Sequence, residues 1–143
     1  MCGINGLASR SAEACSNGFE AMRDRLRHRG PDDAGTWRSS CGRVRMGHRR
    51  LSILDLSPAG HQPMLGVSGR FAMVFNGEIY NYLELRVELE LLGYRFNSSG
   101  DSEVILAAYT EWGQDCLKRF NGMFAIAIYD RGEGKAPASI FFA

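Results

Sequence analysis

Phe71-Ala72-Met73-Val74-Phe75-Asn76-Gly77-Glu78-Ile79-Tyr80-Asn81 is the stretch that decides the fold. Phe71, Met73 and Phe75 alternate with their neighbours, so residues 70–76 read as a strand. The residues that follow, 82–92, fit two patterns. Leu83, Leu85, Val87, Leu89 and Leu91 alternate as in a strand, whereas Tyr82, Leu85, Leu89 and Leu92 mark one face of a helix. The helix is preferred, because the stretch is mostly Leu, Glu and Arg. Asn81 can cap its start and Gly93 can close its end.

Upstream, residues 3–8 read as a strand, and Ser11 can cap a helix that turns Cys15, Phe19, Met22 and Leu26 to one side. His28-Arg29-Gly30-Pro31-Asp32-Asp33 ends that helix. Trp37 and the alternating Val44, Met46 and His48 predict two strands joined near Cys41-Gly42. Residues 51–54 continue in extended form, and Ser57-Pro58-Ala59-Gly60 opens a loop. Downstream, helices are predicted over about 102–112, with Ile105, Tyr109 and Trp112 inward, and over 116–120. Residues 123–129 form an apolar strand. Gly132-Glu133-Gly134 turns the chain, and 139–142 returns. Strands and helices in this order predict a layered α+β domain rather than a βαβ repeat.

The chain has 143 residues, 45% of them hydrophobic and 23% charged, which suits one soluble domain. A net charge of +1 gives no footprint for nucleic acid or an anionic membrane. No apolar run approaches the ~20 residues of a membrane span. The amino terminus does not read as a signal peptide, so a cytoplasmic location is expected. Cys2, Cys15, Cys41 and Cys116 have no zinc-like spacing, and His28, His48 and His61 suggest no metal site. Metal: none is the expectation.

Cys2 carries the clearest chemistry. The initiator Met is usually removed before cysteine, which would put a thiol and a free α-amine on one residue. An α-amine has a pKa of about 7.7–8.0 and can serve as a general base. Asn76 and Gly77 could hold an oxyanion with a side-chain amide and a backbone N–H. On local evidence alone, Asn-Gly after a strand is more readily a hairpin turn. Arg49-Arg50 could grip a carboxylate, or face water at a strand edge. Asp101 could meet an ammonium group, or simply cap the next helix.

Six stretches together form a distinctive set: Met1-Cys2-Gly3-Ile4, His28-Arg29-Gly30-Pro31-Asp32, Arg49-Arg50-Leu51-Ser52-Ile53, Asn76-Gly77-Glu78-Ile79-Tyr80-Asn81, Ser99-Gly100-Asp101-Ser102-Glu103-Val104 and Asn121-Gly122-Met123-Phe124-Ala125. The sequence resembles the glutaminase domain of class II glutamine amidotransferases of the asparagine synthetase type. The resemblance implies a four-layer α/β/β/α sandwich of two antiparallel sheets, as in amino-terminal-nucleophile hydrolases. It implies Cys2 as nucleophile toward the side-chain amide of L-glutamine, with Asn76 and Gly77 at the oxyanion. Arg50, helped by Leu51 and Ile53, would hold the α-carboxylate, and Glu78 and Asp101 the α-ammonium. Glutamate and ammonia would be the products, formed by way of a γ-glutamyl thioester.

A partner synthetase domain or subunit would accept the ammonia, for example to make asparagine from aspartate. ATP and Mg would belong to that synthetase domain alone, and no cofactor is expected in this one. The family leads one to expect further residues after 143, including Arg-Asp-Arg and Lys-Pro-Leu-Tyr type segments. Residues 1–143 therefore read as a glutaminase domain lacking its carboxy-terminal part, with the synthetase domain absent. An unpaired sheet edge would then favour self-association, so a homo-oligomer is among the expected states. The competing reading is a non-catalytic remnant that binds glutamine or a protein partner.

Overall fold

The computed structural model describes residues 1–11, 18–132 and 138–142. Strand β1 (Gly3–Ala8) begins immediately after Cys2. Helix α1 (Phe19–Asp24) leads through tight turns to β2 (Asp33–Arg38) and β3 (Val44–Arg50). A two-residue strand β4 (Met64–Leu65) precedes β5 (Phe71–Ile79), α2 (Tyr82–Leu91) and α3 (Asp101–Trp112). Strands β6 (Gly122–Asp130) and β7 (Ala138–Phe142) complete the order. Among the described residues these strands make two antiparallel sheets, β1-β3-β2 and β4-β5-β6-β7.

Strand β5 shows why there are four layers. Its side chains alternate between two cores. Phe71, Met73 and Phe75 pack with Leu85 and Leu89 of α2 and Val104 and Ile105 of α3. Ala72 and Val74 point the other way, toward Val44 and Met46 of β3. Helix α1 covers the far side of the first sheet, against β1 and β3. The sequence is thus helix, sheet, sheet, helices, as the four-layer expectation has it. Among the described residues no helix is long and apolar enough to cross a membrane.

Residues 82–91 are helical, and Leu85 and Leu89 are buried while Leu83, Val87 and Leu91 face outward. The alternating apolar pattern thus did not produce a strand. Leu92, expected inward, is 52% exposed, because the helix ends there and Gly93 turns the chain with φ 95°. Asn81 stands at the start of α2 but does not cap it. Its amide instead donates to Arg119 O at 2.9 Å and accepts from Asn121 N at 2.9 Å, joining α2 to the start of β6.

Other expectations shift. Phe19 is buried but Met22 is exposed; Arg23 is half-buried, and Leu26, also half-buried, lies in the turns after the helix. Cys15 lies outside the described residues, as does Gly132-Glu133-Gly134 beyond Gly132. Residues 51–54 do not extend β3, which ends at Arg50; they form a loop. The expected helix over 116–120 is a 3-10 segment, Gly113–Arg119.

Candidate active site

The site begins where β1 begins. Cys2 is partly buried, with Leu51 N–H donating to its sulfur at 3.4 Å. Its carbonyl accepts from Arg29 Nε at 3.1 Å. Arg29 lies in the turn after α1, and that turn is fixed in its own right: Arg49 Nε donates to Gly30 O at 2.9 Å. The residues 28–32, read from sequence as a turn, thus form the cradle of the amino terminus. Arg29 was named there only as part of a motif, and its contact with Cys2 follows from the way α1 folds over β1.

Strand β5 carries the second component. It continues past Asn76, through Gly77 to Ile79, in register with β6: Asn76 opposite Ala125 and Gly77 opposite Phe124. The local hairpin reading of Asn-Gly is therefore wrong, because β6 supplies a strand partner on both sides of the dipeptide. Gly77 has φ 152°, and a Cβ there would lie 2.2 Å from Met123 O. Only glycine fits so close to the neighbouring backbone. The Asn76 side-chain carbonyl is buried with no hydrogen-bond partner.

Arg50 closes β3 and is only 8% exposed. Its guanidinium donates to Ser57 O at 2.8 Å and to Asp55 O. It lies flat against Gly60, where a Cβ would come within 2.0 Å of its Nη2. Two carbonyls use part of its five donors and leave others free. Asp55 in turn accepts from Ser57 N at 2.7 Å and from Ser99 N at 3.0 Å, so the 51–57 loop is pinned to the entry of α3.

Asp101 is the first residue of α3 and does not cap it. Its carboxylate accepts from Ile79 N at 3.0 Å. Burial pushes its pKa upward, and the nearby Glu78 carboxylate adds to the rise. A buried carboxylate held above its ordinary range is one that a cation would stabilise. Glu78 is exposed. Glu103 serves the loop instead, accepting from Ser98 N at 2.8 Å and Asn97 N at 2.9 Å.

Cys2, Arg50, Leu51, Ile53, Asn76, Gly77, Glu78 and Asp101, the eight residues singled out in the sequence, all line one cleft of about 400 Å³. Sequence reasoning missed Gln62, Asp55 and Met123, which also line it. Gln62 and Asp55 stand in no pattern that marks them, and Met123 was read only as part of a quoted stretch and the start of a strand. His61 and His28 stay outside: His61 pairs with Asp33 at 2.6 Å, and His28 contacts Arg25 O at 3.1 Å. Among the described residues no three His, Cys, Asp or Glu side chains gather as metal ligands would.

The α+β sandwich thus sets a cysteine at the head of its first strand in one cleft with a buried carboxylate and an arginine. A family model for the glutamine amidotransferase domain matches residues 1–138, and the chain belongs to that family. It is 40% identical to asparagine synthetase (glutamine-hydrolyzing) 2 of Bacillus subtilis, over 94% of this chain and 18% of that protein. It is 37% identical to asparagine synthetase (glutamine-hydrolyzing) 3 of the same organism, over 91% of this chain and 21% of that protein. Amidase chry2 of Gibberella zeae is 35% identical, over 97% of this chain and 22% of that protein. The chain thus spans about a fifth of the length of these curated relatives. In fold it is similar to the glutamine phosphoribosylpyrophosphate amidotransferase of B. subtilis solved with ADP and GMP. That match has a TM-score of 0.69 at 18% identity, over 91% of this chain and 35% of that one.

Proposed function

We propose that this domain hydrolyses the side-chain amide of glutamine, with Cys2 as the nucleophile. The observation that carries this reading is the convergence of Cys2, Asn76-Gly77, Arg50 and Asp101 on one cleft. Each matches a part of the substrate. Arg50 suits the α-carboxylate, Asp101 and Glu78 suit the α-ammonium, and the amide end then reaches Cys2.

With Met1 removed, the free amine of Cys2 takes the thiol proton, directly or through a water. The thiolate adds to the amide carbon, and the oxygen becomes an oxyanion facing the Asn76 amide and Gly77 N–H. Collapse breaks the C–N bond, the protonated amine returns its proton to the leaving nitrogen, and ammonia departs. Water then cleaves the γ-glutamyl thioester, giving glutamate and restoring the thiol. Ammonia would pass to an acceptor site in a synthetase domain or subunit. The names of the relatives favour asparagine formation as the purpose, while the amidase among them leaves room for a different acceptor.

The purified chain, incubated with glutamine and assayed for glutamate, tests the reading. Hydrolysis is expected, and Cys2→Ser should abolish most of it while binding persists, because an alkoxide is far harder to generate than a thiolate. Mass spectrometry should show a chain starting at Cys2. Retaining Met1 turns the amine into an amide and removes a general base, a loss of ~10²–10⁴-fold. A fully active preparation that keeps Met1 would sink the amine-as-base step. A chain that binds glutamine or a glutamine-like electrophile without turnover would be the non-catalytic remnant.

A further inference from the structure

Strand β4 is too short to cover its neighbour. It pairs Met64 with Met73 and Leu65 with Ala72, and stops. In an antiparallel strand the N–H and C=O of one residue point to the same side. Phe75, on β5, turns both groups to the side where β4 has ended. An unpaired backbone donor and acceptor at a 3% exposed residue would be costly. Two side chains take them instead. Gln62 Oε1 accepts from Phe75 N at 2.7 Å, and His48 Nε2 donates to Phe75 O at 3.0 Å.

The other end of the Gln62 amide goes elsewhere. Its Nε2 donates to Ser102 Oγ at 3.3 Å, on the first turn of α3. Gln62 is only 4% exposed, and Ser102 is partly buried. One side chain therefore joins the residue before Asn76 to the residue after Asp101. These are the two places where, on the reading above, the substrate's oxyanion and its ammonium are held. A glutamine molecule gripped at both ends needs a fixed distance between them.

Resting on that reading, we propose that Gln62 is a positioning residue for glutamine hydrolysis: it sets the Asn76 oxyanion donor against the Asp101 ammonium contact. Its effect runs through Phe75 and Ser102 rather than through the substrate. A donor moved by about 1 Å can lose ~10²-fold in rate. Gln62→Met keeps the length of the side chain and removes both hydrogen bonds.

The test compares steady-state glutamine hydrolysis, and labelling of Cys2, in the wild-type chain, Gln62→Met, Ser102→Ala and the double variant. Gln62→Met should lower kcat by ~10–100-fold with KM changed less than ~3-fold. Ser102→Ala should give a smaller fall in kcat, and the double variant should be no worse than Gln62→Met, since one bridge is cut twice. Labelling by a glutamine-like electrophile should slow in Gln62→Met, while labelling by iodoacetamide, which needs no oxyanion site, should hold its wild-type rate. Wild-type kcat in Gln62→Met, a rise in KM alone, multiplicative losses, or an equal slowing of iodoacetamide would each overturn the proposal. If the wild-type chain itself neither hydrolyses glutamine nor is labelled by its analogue, the functional reading fails, and this inference with it.

Discussion

Asn76 and Arg50 sit on different sheets and should fail in different ways. Asn76 ends its run of core residues, and its side-chain amide, whose N–H₂ can donate, lines the cleft. An amide placed for a developing oxyanion serves the transition state, so Asn76→Ala should reduce kcat by roughly 10²–10³-fold and change KM little. Arg50 is wedged between Gly60 and the carbonyls of Asp55 and Ser57. Its contact with a substrate carboxylate would exist in ground and transition states alike. Arg50→Lys keeps the charge but loses the planar fork, and should raise KM more than it lowers kcat. Initial-rate kinetics on both variants decide the matter, and equal effects on the two constants would show the roles to be misassigned. The chemical types of these residues were legible in the sequence. Asp55 and Gln62 were not, because a loop carboxylate and a loop amide have no period to mark them.

At the scale of elements, β5 and β6 form a pair that tolerates side chains at few points around the cleft. Gly77 presses on Met123 O at 2.2 Å, and Gly122 presses on Glu78 O at 2.1 Å, each measured from a Cβ that glycine lacks. Both contacts are with the backbone of the facing strand, at the end of the pair that carries Asn76 and Gly77. Gly77→Ala should strain the backbone by ~1–3 kcal/mol and lower the melting temperature as well as activity. Gly122→Ala should do likewise through the same gap, and a thermal melt of either that matched the wild type would show that the strands can part. The alternation of Phe71, Met73 and Phe75 made the existence of β5 plain in the sequence. Its length was not plain, because Asn-Gly has the composition of a turn and only pairing with β6 overrides it. Helix α2 was recovered for a related reason: propensity decided between two periods, and the burial of Leu85 and Leu89 agrees with the helical one.

Across the whole molecule, His48 is a polar link between two sheets that otherwise meet through an apolar cluster. It belongs to β3, is 1% exposed, and bonds the backbone of β5. Burial lowers its pKa from 6.5 to about 4; the Phe75 carbonyl and Asp33 oppose this, while Arg50 and His61 assist it. The unfolded chain therefore takes up a proton at this residue first. Stability should be unaffected above pH 6.5 and should fall as pH drops from there toward 4, by about 2 kcal/mol by pH 5. Asp101, with its raised pKa, acts in the opposite sense, losing stability as pH rises above its unfolded value. Melting curves at pH 7 and pH 5 should separate the two: His48→Gln, whose amide can still donate to Phe75 O, should show a smaller acid-induced drop. An unchanged drop would mean that the acid sensitivity lies elsewhere. The cleft also has a consequence in time. Cys2 is synthesised well before its partners: its neighbour Leu51 comes 49 positions later, and the register that frames Asn76 waits for β6, residues 122–130. At a synthesis rate of ~5–20 residues per second, the thiol spends on the order of ten seconds on an unfinished chain. During that interval the cysteine stands without the contacts that frame the cleft, so the site exists only once β6 has joined β5.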